Sequence, residues 1–293
     1  MSLKGKVAVV TGASRGVGRG IALQLGEAGA TVYVTGRDPT NRKVDPKLPT
    51  LEKTAKEITQ RGGEGIPVYV DHTDDAQVKA LFEKVVSEND GQLDILVNNA
   101  FSALYTSAEN LTTPFWETEP ELWDTYNNVG LRGYYVSSLY AARLFVKNAR
   151  GGLIVNVSSK GAEQYIFNVP YGVGKAAVDR LTADTAHELK PHKVTVVSLW
   201  PGGVQNEVIL NLVNQAPEER QKTFKGLLNQ AETTEYAGKA VVALATDSKA
   251  LDKTGKALRT TRLGKEYGFK DIDGRDGEDY IIISLEALKR EKL

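Results

Sequence analysis

Tyr171 and Lys175, in the run Tyr-Gly-Val-Gly-Lys, are four residues apart and so share one face of a helix. A phenol titrates near pH ~10 and is a poor acid–base group at neutrality unless its anion is stabilised. A nearby ammonium does that. Each unit of lowering requires about 1.4 kcal/mol of preference for the phenolate, so the roughly two or three units needed near pH 7 amount to several kcal/mol. One close cation in a partly dry cleft can supply much of it. Upstream, Gly152-Leu153-Ile154-Val155-Asn156-Val157 reads as a buried strand that ends in two hydroxyls, Ser158 and Ser159. A phenol, an amine and a hydroxyl at a strand end are the parts of a proton-transfer site, although a Tyr-x-x-x-Lys pair alone is common in helices.

The elements that would hold such a site begin at the N-terminus. The apolar run Val7, Ala8, Val9, Val10 leads into Thr11-Gly12-Ala13-Ser14-Arg15-Gly16-Val17-Gly18 and then an amphipathic stretch over 17–27. A buried strand feeding a helix through a glycine turn is a nucleotide cradle. Gly12 permits the turn, while Gly16 and Gly18 leave no side chain between the helix N-terminus and a pyrophosphate, whose charge suits the free N–H groups. Gly12, Ser14, Arg15, Gly16, Val17 and Gly18 are therefore expected to bind a dinucleotide.

The next strand, 31–35, ends at Gly36-Arg37. An acidic residue there would hold ribose hydroxyls, whereas a basic one accommodates a 2′-phosphate. Arg37, with Arg15 approaching from the other side, points to NADP(H) rather than NAD(H), two solvated surface arginines being the competing reading. Residues 38–50 lack periodicity and form a loop, either a lid or a surface insertion. A helix over 51–61 precedes a strand over 66–70 that ends in Asp71-His72, at the ligand edge of an open parallel sheet. Capping the next helix, over 75–87, is the other role open to Asp71, although Thr73 and Asp74 also serve as caps.

Composition bounds the partners. The 293 residues suit one large α/β domain, and 41% apolar residues fill a substantial core. Thirty-seven basic residues balance 37 acidic ones, so no global field recruits nucleic acid or an anionic membrane. Without cysteine there is no disulfide, thiolate zinc site or cysteine nucleophile, and His72, His187 and His192 lack metal-ligand spacing, so no metal is expected. No signal-type apolar region and no membrane-spanning run is present, so the chain reads as cytoplasmic, with association with an organelle left open.

Several stretches in order carry a family resemblance. The spacing Thr-Gly-x-x-x-Gly-x-Gly, the strand-end motif Leu-Asp-Ile-Leu-Val-Asn-Asn-Ala at 93–100, the Tyr171/Lys175 pair and Pro201-Gly202 together resemble the short-chain dehydrogenase/reductase family, over about residues 3–258. Asn-Val-Gly-Leu-Arg-Gly, Val-Pro-Tyr-Gly-Val-Gly-Lys and the tail motifs 265–269 and 271–275 resemble one branch of it, out to about residue 280. The resemblance implies a Rossmann-type doubly wound parallel α/β sheet in a single domain, 1–260, with a substrate lid at about 205–230 and a C-terminal extension, 261–293, packed on the same domain. It further implies that Asp71, beside His72, contacts adenine, that Asn98 ties neighbouring strands, and that Ala100 lets the backbone lie close to the cofactor. Pro201, Gly202 and Val204 would line its nicotinamide end. Ser158, thirteen residues before Tyr171, would polarise a carbonyl, with Ser159 the alternative if the register slips. Tyr171 would move the proton, and Lys175 would depress its pKa and anchor the ribose.

Three positions depart from the family pattern. Phe101 replaces the glycine after Asn-Asn-Ala, Asn206 replaces a threonine, and Gly130 replaces the catalytic asparagine expected seven residues after Trp123. That asparagine's carbonyl helps hold a relay water. Gly130 keeps a carbonyl and can bend the helix expected over 121–147, and Asn127 or Asn128 could rebuild the relay. Aromatics in the loop 101–120, namely Tyr105, Phe115 and Trp116, could wall a pocket, and Ile209, Leu210, Leu212, Val213 and Phe224 could close over an apolar ligand. By analogy, the 121–147 helix and the one after Tyr171 would pair subunits into a homodimer or homotetramer. The expected activity is NADP(H)-dependent interconversion of an alcohol and a carbonyl, a ketone or aldehyde of steroid-like or xenobiotic type. The alternative is an NADP(H)-binding sensor or interaction protein with little turnover.

Overall fold

A computed structural model describes residues 1–40, 48–102, 113–215, 221, 226 and 228–277, excepting the side chains of 208, 211 and 212. The first strand, β1 (Val7–Val10), is buried along its whole length. After it come α1 (Gly16–Glu27), β2 (Thr31–Gly36), α2 (Leu51–Gln60), β3 (Glu64–Tyr69), α3 (Asp75–Glu88) and β4 (Ile95–Asn98). The second half contains α4 (Glu121–Asn127), α5 (Gly133–Asn148), β5 (Gly152–Val157), α6 (Val169–Leu189), β6 (Val194–Trp200), β7 (Val204–Gln205), α7 (Glu207–Gln215), β8 (Glu232–Thr233), α8 (Thr234–Thr246), β9 (Ala257–Arg259) and α9 (Thr260–Tyr267).

Seven strands form one parallel sheet in the order β3-β2-β1-β4-β5-β6-β9, and β7 pairs with β8 in a small second sheet. The order reverses between β1 and β4, which opens a crevice at the carboxyl ends of the strands. Both faces are covered, so the central strands are buried on nearly every residue and mostly apolar rather than apolar on alternate ones. Ala8, Val10, Val97, Val155 and Val197 pack against α1, α2, α8 and α9 through Ile21, Leu25, Ile58, Val241 and Leu263. Val7, Val9, Leu96, Ile154 and Val196 pack against α3, α5 and α6 through Leu81, Phe82, Phe145, Ala186 and Leu189.

The stretch 121–147, read from sequence as one helix, is interrupted. Between α4 and α5 lies a π turn, Asn128–Arg132, centred on Gly130. The apolar spacing survives such a local widening, so the pattern hides it. Part of the loop 38–50, part of the aromatic loop with Tyr105, and Phe224 of the lid lie outside the described residues, as does the side chain of Leu212. Phe115 and Trp116 are exposed and do not line the cleft. In the lid, Leu210 is exposed and Val213 buried. Of the extension, α9 packs Leu263 into the core, and the Asp271 carboxylate accepts from the backbone N–H and hydroxyl of Thr233 at 2.8 and 2.6 Å. Among the described residues no helix is long and apolar enough to cross a membrane.

Candidate active site

The crevice is lined from the turn after β1 to the N-terminus of α7. Gly12 (φ +66°) is required by the fold, because a Cβ there would lie 2.6 Å from the Ala100 Cα. Gly16 (φ +59°) lines the cleft together with Ser14, Arg15 and Val17. Gly18 corrects the expectation that it faces a ligand: a Cβ would meet the Asn99 Nδ2 at 2.2 Å and the Gly12 carbonyl at 2.5 Å, and the residue is absent from the cleft wall. Its smallness serves packing of Asn99, whose amide donates to the Thr11 and Gly12 carbonyls, both at 3.0 Å. Thr11 Oγ1 in turn accepts from the N–H groups of Asn99 and Ala100. Asn99 lines the cleft, and sequence reasoning did not single it out. Asn98 is wholly buried behind the wall, donating to the Asn156 Oδ1 at 2.8 Å and the Ser138 Oγ at 2.9 Å. It ties β4 to β5, as expected, and is removed from direct cofactor contact by that burial.

At the tip of β2 and β3 the cleft is walled by Arg37, Asp71 and His72, with Arg15 across from them. The Asp71 carboxylate accepts from the Thr73 N–H at 2.9 Å and its hydroxyl at 2.8 Å. Burial raises its pKa, but the Thr73 bonds and the nearby Arg37 and His72 outweigh that and hold it below the usual range. Helix α3 is capped by Asp74 instead, which accepts from the N–H groups of Ala76 and Gln77. His72 is buried, 2.7 Å from the Thr35 Oγ1, and burial pushes it down to about 4, so it is neutral.

The chemistry-bearing groups meet at the ends of β5 and α6. Asn168 caps α6 by accepting from the Tyr171 N–H at 3.0 Å, and its amide donates to the Tyr126 hydroxyl at 2.9 Å, which fixes where the helix begins. Phe167, just before it, sits at φ +62° and lays its ring 4.9 Å from that of Tyr171. Nothing in the sequence signalled that contact. The Tyr171 hydroxyl donates to the Ser159 Oγ at 2.8 Å.

Ser158 does not hold that place, which corrects the assignment by thirteen-residue spacing. Its N–H still pairs with the Leu199 carbonyl, extending the β5–β6 ladder, and its buried hydroxyl donates to the Lys175 carbonyl at 3.2 Å. The chain leaves the sheet one residue later, at Ser159, which caps a short turn over Lys160–Ala162. Successive side chains on an extended strand face opposite ways, so a slip of one residue exchanges the two hydroxyls.

Lys175 is buried and its Nζ donates to the Val157 carbonyl at 3.0 Å, 5.9 Å from the Tyr171 ring centroid. Burial pushes the ammonium down to about 8, with Asp179 opposing. Burial likewise pushes Tyr171 up to about 12, against the Ser159 hydrogen bond and with a smaller push from Tyr126. A net depression of Tyr171 is not seen, because desolvation outweighs the pull of the Lys175 ammonium, which is turned to the Val157 carbonyl. Asp179, one turn further along α6, accepts from the Trp200 Nε1 at 3.2 Å and completes the buried polar group.

Among the departures, Asn127 does not rebuild a relay. Its amide donates to the Trp123 and Pro170 carbonyls, at 3.3 and 3.4 Å, and it does not line the cleft. Pro201, Gly202 and Asn206 do line it, whereas Val204 is drawn away into β7. Asn206 accepts from the Ile209 N–H at 2.9 Å, at the start of α7. Next to it, the Glu207 carboxylate accepts from the Gly16 N–H at 3.0 Å, so a carboxylate of α7 sits on the cradle. The glycine turn, an N–H that takes an anion, and Arg37 at the β2 tip with Arg15 across the cleft fit a dinucleotide.

Comparison with known proteins agrees with this arrangement. The short chain dehydrogenase family matches residues 6–217. The chain is 51% identical over 287 residues to human dehydrogenase/reductase SDR family member 1, covering 96% of this chain and 88% of that protein. That is the branch which the Asn-Val-Gly-Leu-Arg-Gly and tail motifs resemble. It is 32% identical to the 3-oxoacyl-acyl-carrier-protein reductase of Pseudomonas aeruginosa, over 85% of this chain and 94% of that one. A crystal structure of a short chain dehydrogenase from Mycobacterium thermoresistibile superposes with a TM-score of 0.76 at 26% identity, covering 95% of this chain and 92% of that chain.

Proposed function

The chain belongs to the short-chain dehydrogenase/reductase family, a family of oxidoreductases, and on that premise we propose that it is an NADP(H)-dependent reductase of apolar carbonyl compounds. The observation that carries this reading is the 2.8 Å hydrogen bond between Tyr171 and Ser159 in the same cleft as Lys175 and the glycine cradle. When bound, the nicotinamide supplies the hydride to the carbonyl carbon, or takes it in the reverse direction. Ser159 donates a hydrogen bond to the carbonyl oxygen. Tyr171 delivers its proton to that oxygen as charge builds there, and the Lys175 ammonium stabilises the phenolate left behind. A tyrosine held at about 12 keeps its proton at neutral pH, the form that the reductive direction requires.

Arg15 and Arg37 both line the cleft and support NADP(H) over NAD(H), whereas Asp38, next to Arg37, is not in the cleft wall and accepts from the Thr40 N–H and hydroxyl. Phe101, Phe167 and Tyr171 give the reacting end aromatic walls, which suits a bulky ketone or aldehyde better than a polar one. The Pseudomonas relative is named as a reductase of a 3-oxoacyl group, in keeping with carbonyl chemistry. Exposed apolar residues on α5, Tyr135 and Val146, support assembly into a homodimer or homotetramer.

The test is NADPH and NADH oxidation by the purified chain across a panel of ketones and aldehydes of graded size. The proposal expects turnover with NADPH on the larger apolar members. Tight NADPH binding without turnover on any of them would favour a sensor instead.

A further inference from the structure

Phe101 and Gly130, far apart in sequence and both departing from the family pattern, meet in the molecule. A methyl group built on Gly130 would lie 2.7 Å from the Cδ2 and 3.1 Å from the Cε2 of the Phe101 ring, inside van der Waals contact. Any side chain at 130 therefore excludes the ring from its position. The main chain there is the π turn, with Gly130 buried, and such widenings of a helix recur at functional sites. The ring that this turn admits contacts Tyr126 and Tyr171 edge-on, with centroids 5.6 and 6.0 Å apart, and the Lys175 ammonium lies 5.0 Å from its centroid.

We infer that Phe101 is a positioning residue for Lys175: its ring, admitted by the missing side chain at Gly130, holds the ammonium beside Tyr171. An ammonium has three protons to place. One goes to the Val157 carbonyl, which also accepts from the Tyr134 hydroxyl at 3.3 Å. The ring face offers a second direction with partial negative charge but no hydrogen-bonding atom that could draw water in. The titratable groups around the ammonium are Tyr171 and Asp179 on its own helix, with Tyr126 on α4 and Tyr134 on α5 acting on Tyr171. All but Asp179 are neutral phenols. The aromatic face thus adds to the attraction that Asp179 exerts on the cation. The role in proton transfer rests on the reductase reading, whereas the pairing of Phe101 with Gly130 does not.

Two experiments on the full chain test this without requiring turnover. The first is thermal melting of Gly130→Ala, Phe101→Ala and the double variant. Gly130→Ala is expected to lower Tm by several degrees in the native background. With Phe101→Ala the same change is expected to leave Tm level or raise it, since alanine favours helix over glycine. Equal lowering in both backgrounds would overturn the pairing.

The second is the titration midpoint of Lys175, followed by NMR of labelled lysine side chains. Phe101→Leu, which keeps apolar bulk and removes the ring face, is expected to lower the midpoint by about half to one pH unit, while Phe101→Tyr holds it near the native value. A midpoint that Phe101→Leu does not move would overturn the positioning role. Where both effects appear in a chain that reduces no carbonyl compound, the reductase reading fails and the Phe101–Lys175 contact stands.

Discussion

Lys175→Met should make the protein more stable while abolishing its function. Burial moves the ammonium from an ordinary 10.5 to about 8. That difference of about 2.5 units corresponds to about 3 kcal/mol by which the fold disfavours the charged lysine. Methionine fills similar volume without charge. Against the gain stand the lost bond to the Val157 carbonyl, worth about 1 kcal/mol, and the lost contact with the Phe101 face, of similar size. The carbonyl is not orphaned, because Tyr134 also donates to it. The net expectation at pH 7 is a gain of about 1 kcal/mol, read by urea unfolding of both proteins from pH 6 to 10.5.

The pH dependence fixes the sign. Below pH 8 the lysine is protonated both folded and unfolded, and the full penalty is present. As pH rises from 8 towards 10.5 the folded lysine gives up its proton while the unfolded one keeps it, so the native protein gains on the variant. Their difference should therefore shift by about 3 kcal/mol in favour of the native chain across that window. Tyr171, raised to about 12, is common to both proteins and cancels in the difference unless coupled to Lys175. A difference independent of pH would refute the claim that Lys175 is held at a desolvation cost for chemistry.

Three further outcomes follow from the cleft. Ser159→Ala should lower kcat by about a hundredfold or more, and Ser158→Ala by no more than a few-fold, in steady-state assays of NADPH oxidation. Glu207→Gln removes a carboxylate from the Gly16 N–H and should tighten NADPH binding several-fold in a fluorescence titration, the gain being lost at high salt. Arg37→Asp should move the ratio of NADPH to NADH affinity by about tenfold or more towards NADH, as measured by calorimetry.

Much of the fold is legible in the sequence because each central strand is a mostly apolar run and each cradle element carries its own punctuation. Val7 to Val10 followed by a glycine turn needs no tertiary information to read. The misreadings fall where tertiary geometry decides. Whether Ser158 or Ser159 meets Tyr171 depends on where the chain leaves the sheet, and the Ser158 pairing with Leu199 sets that. Gly18 looks like a phosphate-loop glycine, but its space is claimed by Asn99, far along the chain. Tyr171 and Lys175 do share a helix face, yet spacing does not reveal that the ammonium turns to Val157 and Phe101. Phe101 and Gly130 each read as an isolated departure, and only their meeting in space turns two anomalies into one feature.

The central claim, that the Tyr171 hydroxyl is the proton donor to a carbonyl, is tested most directly by single-turnover decay of bound NADPH in Tyr171→Phe. The substitution removes one oxygen and leaves the ring to pack against Gly161, Phe167 and Phe101. The rate of hydride transfer to a carbonyl that the native chain reduces is expected to fall by about a thousandfold or more, with NADPH affinity unchanged within about twofold. Decay within about tenfold of the native rate would contradict the assignment, because proton transfer would then be coming from another group.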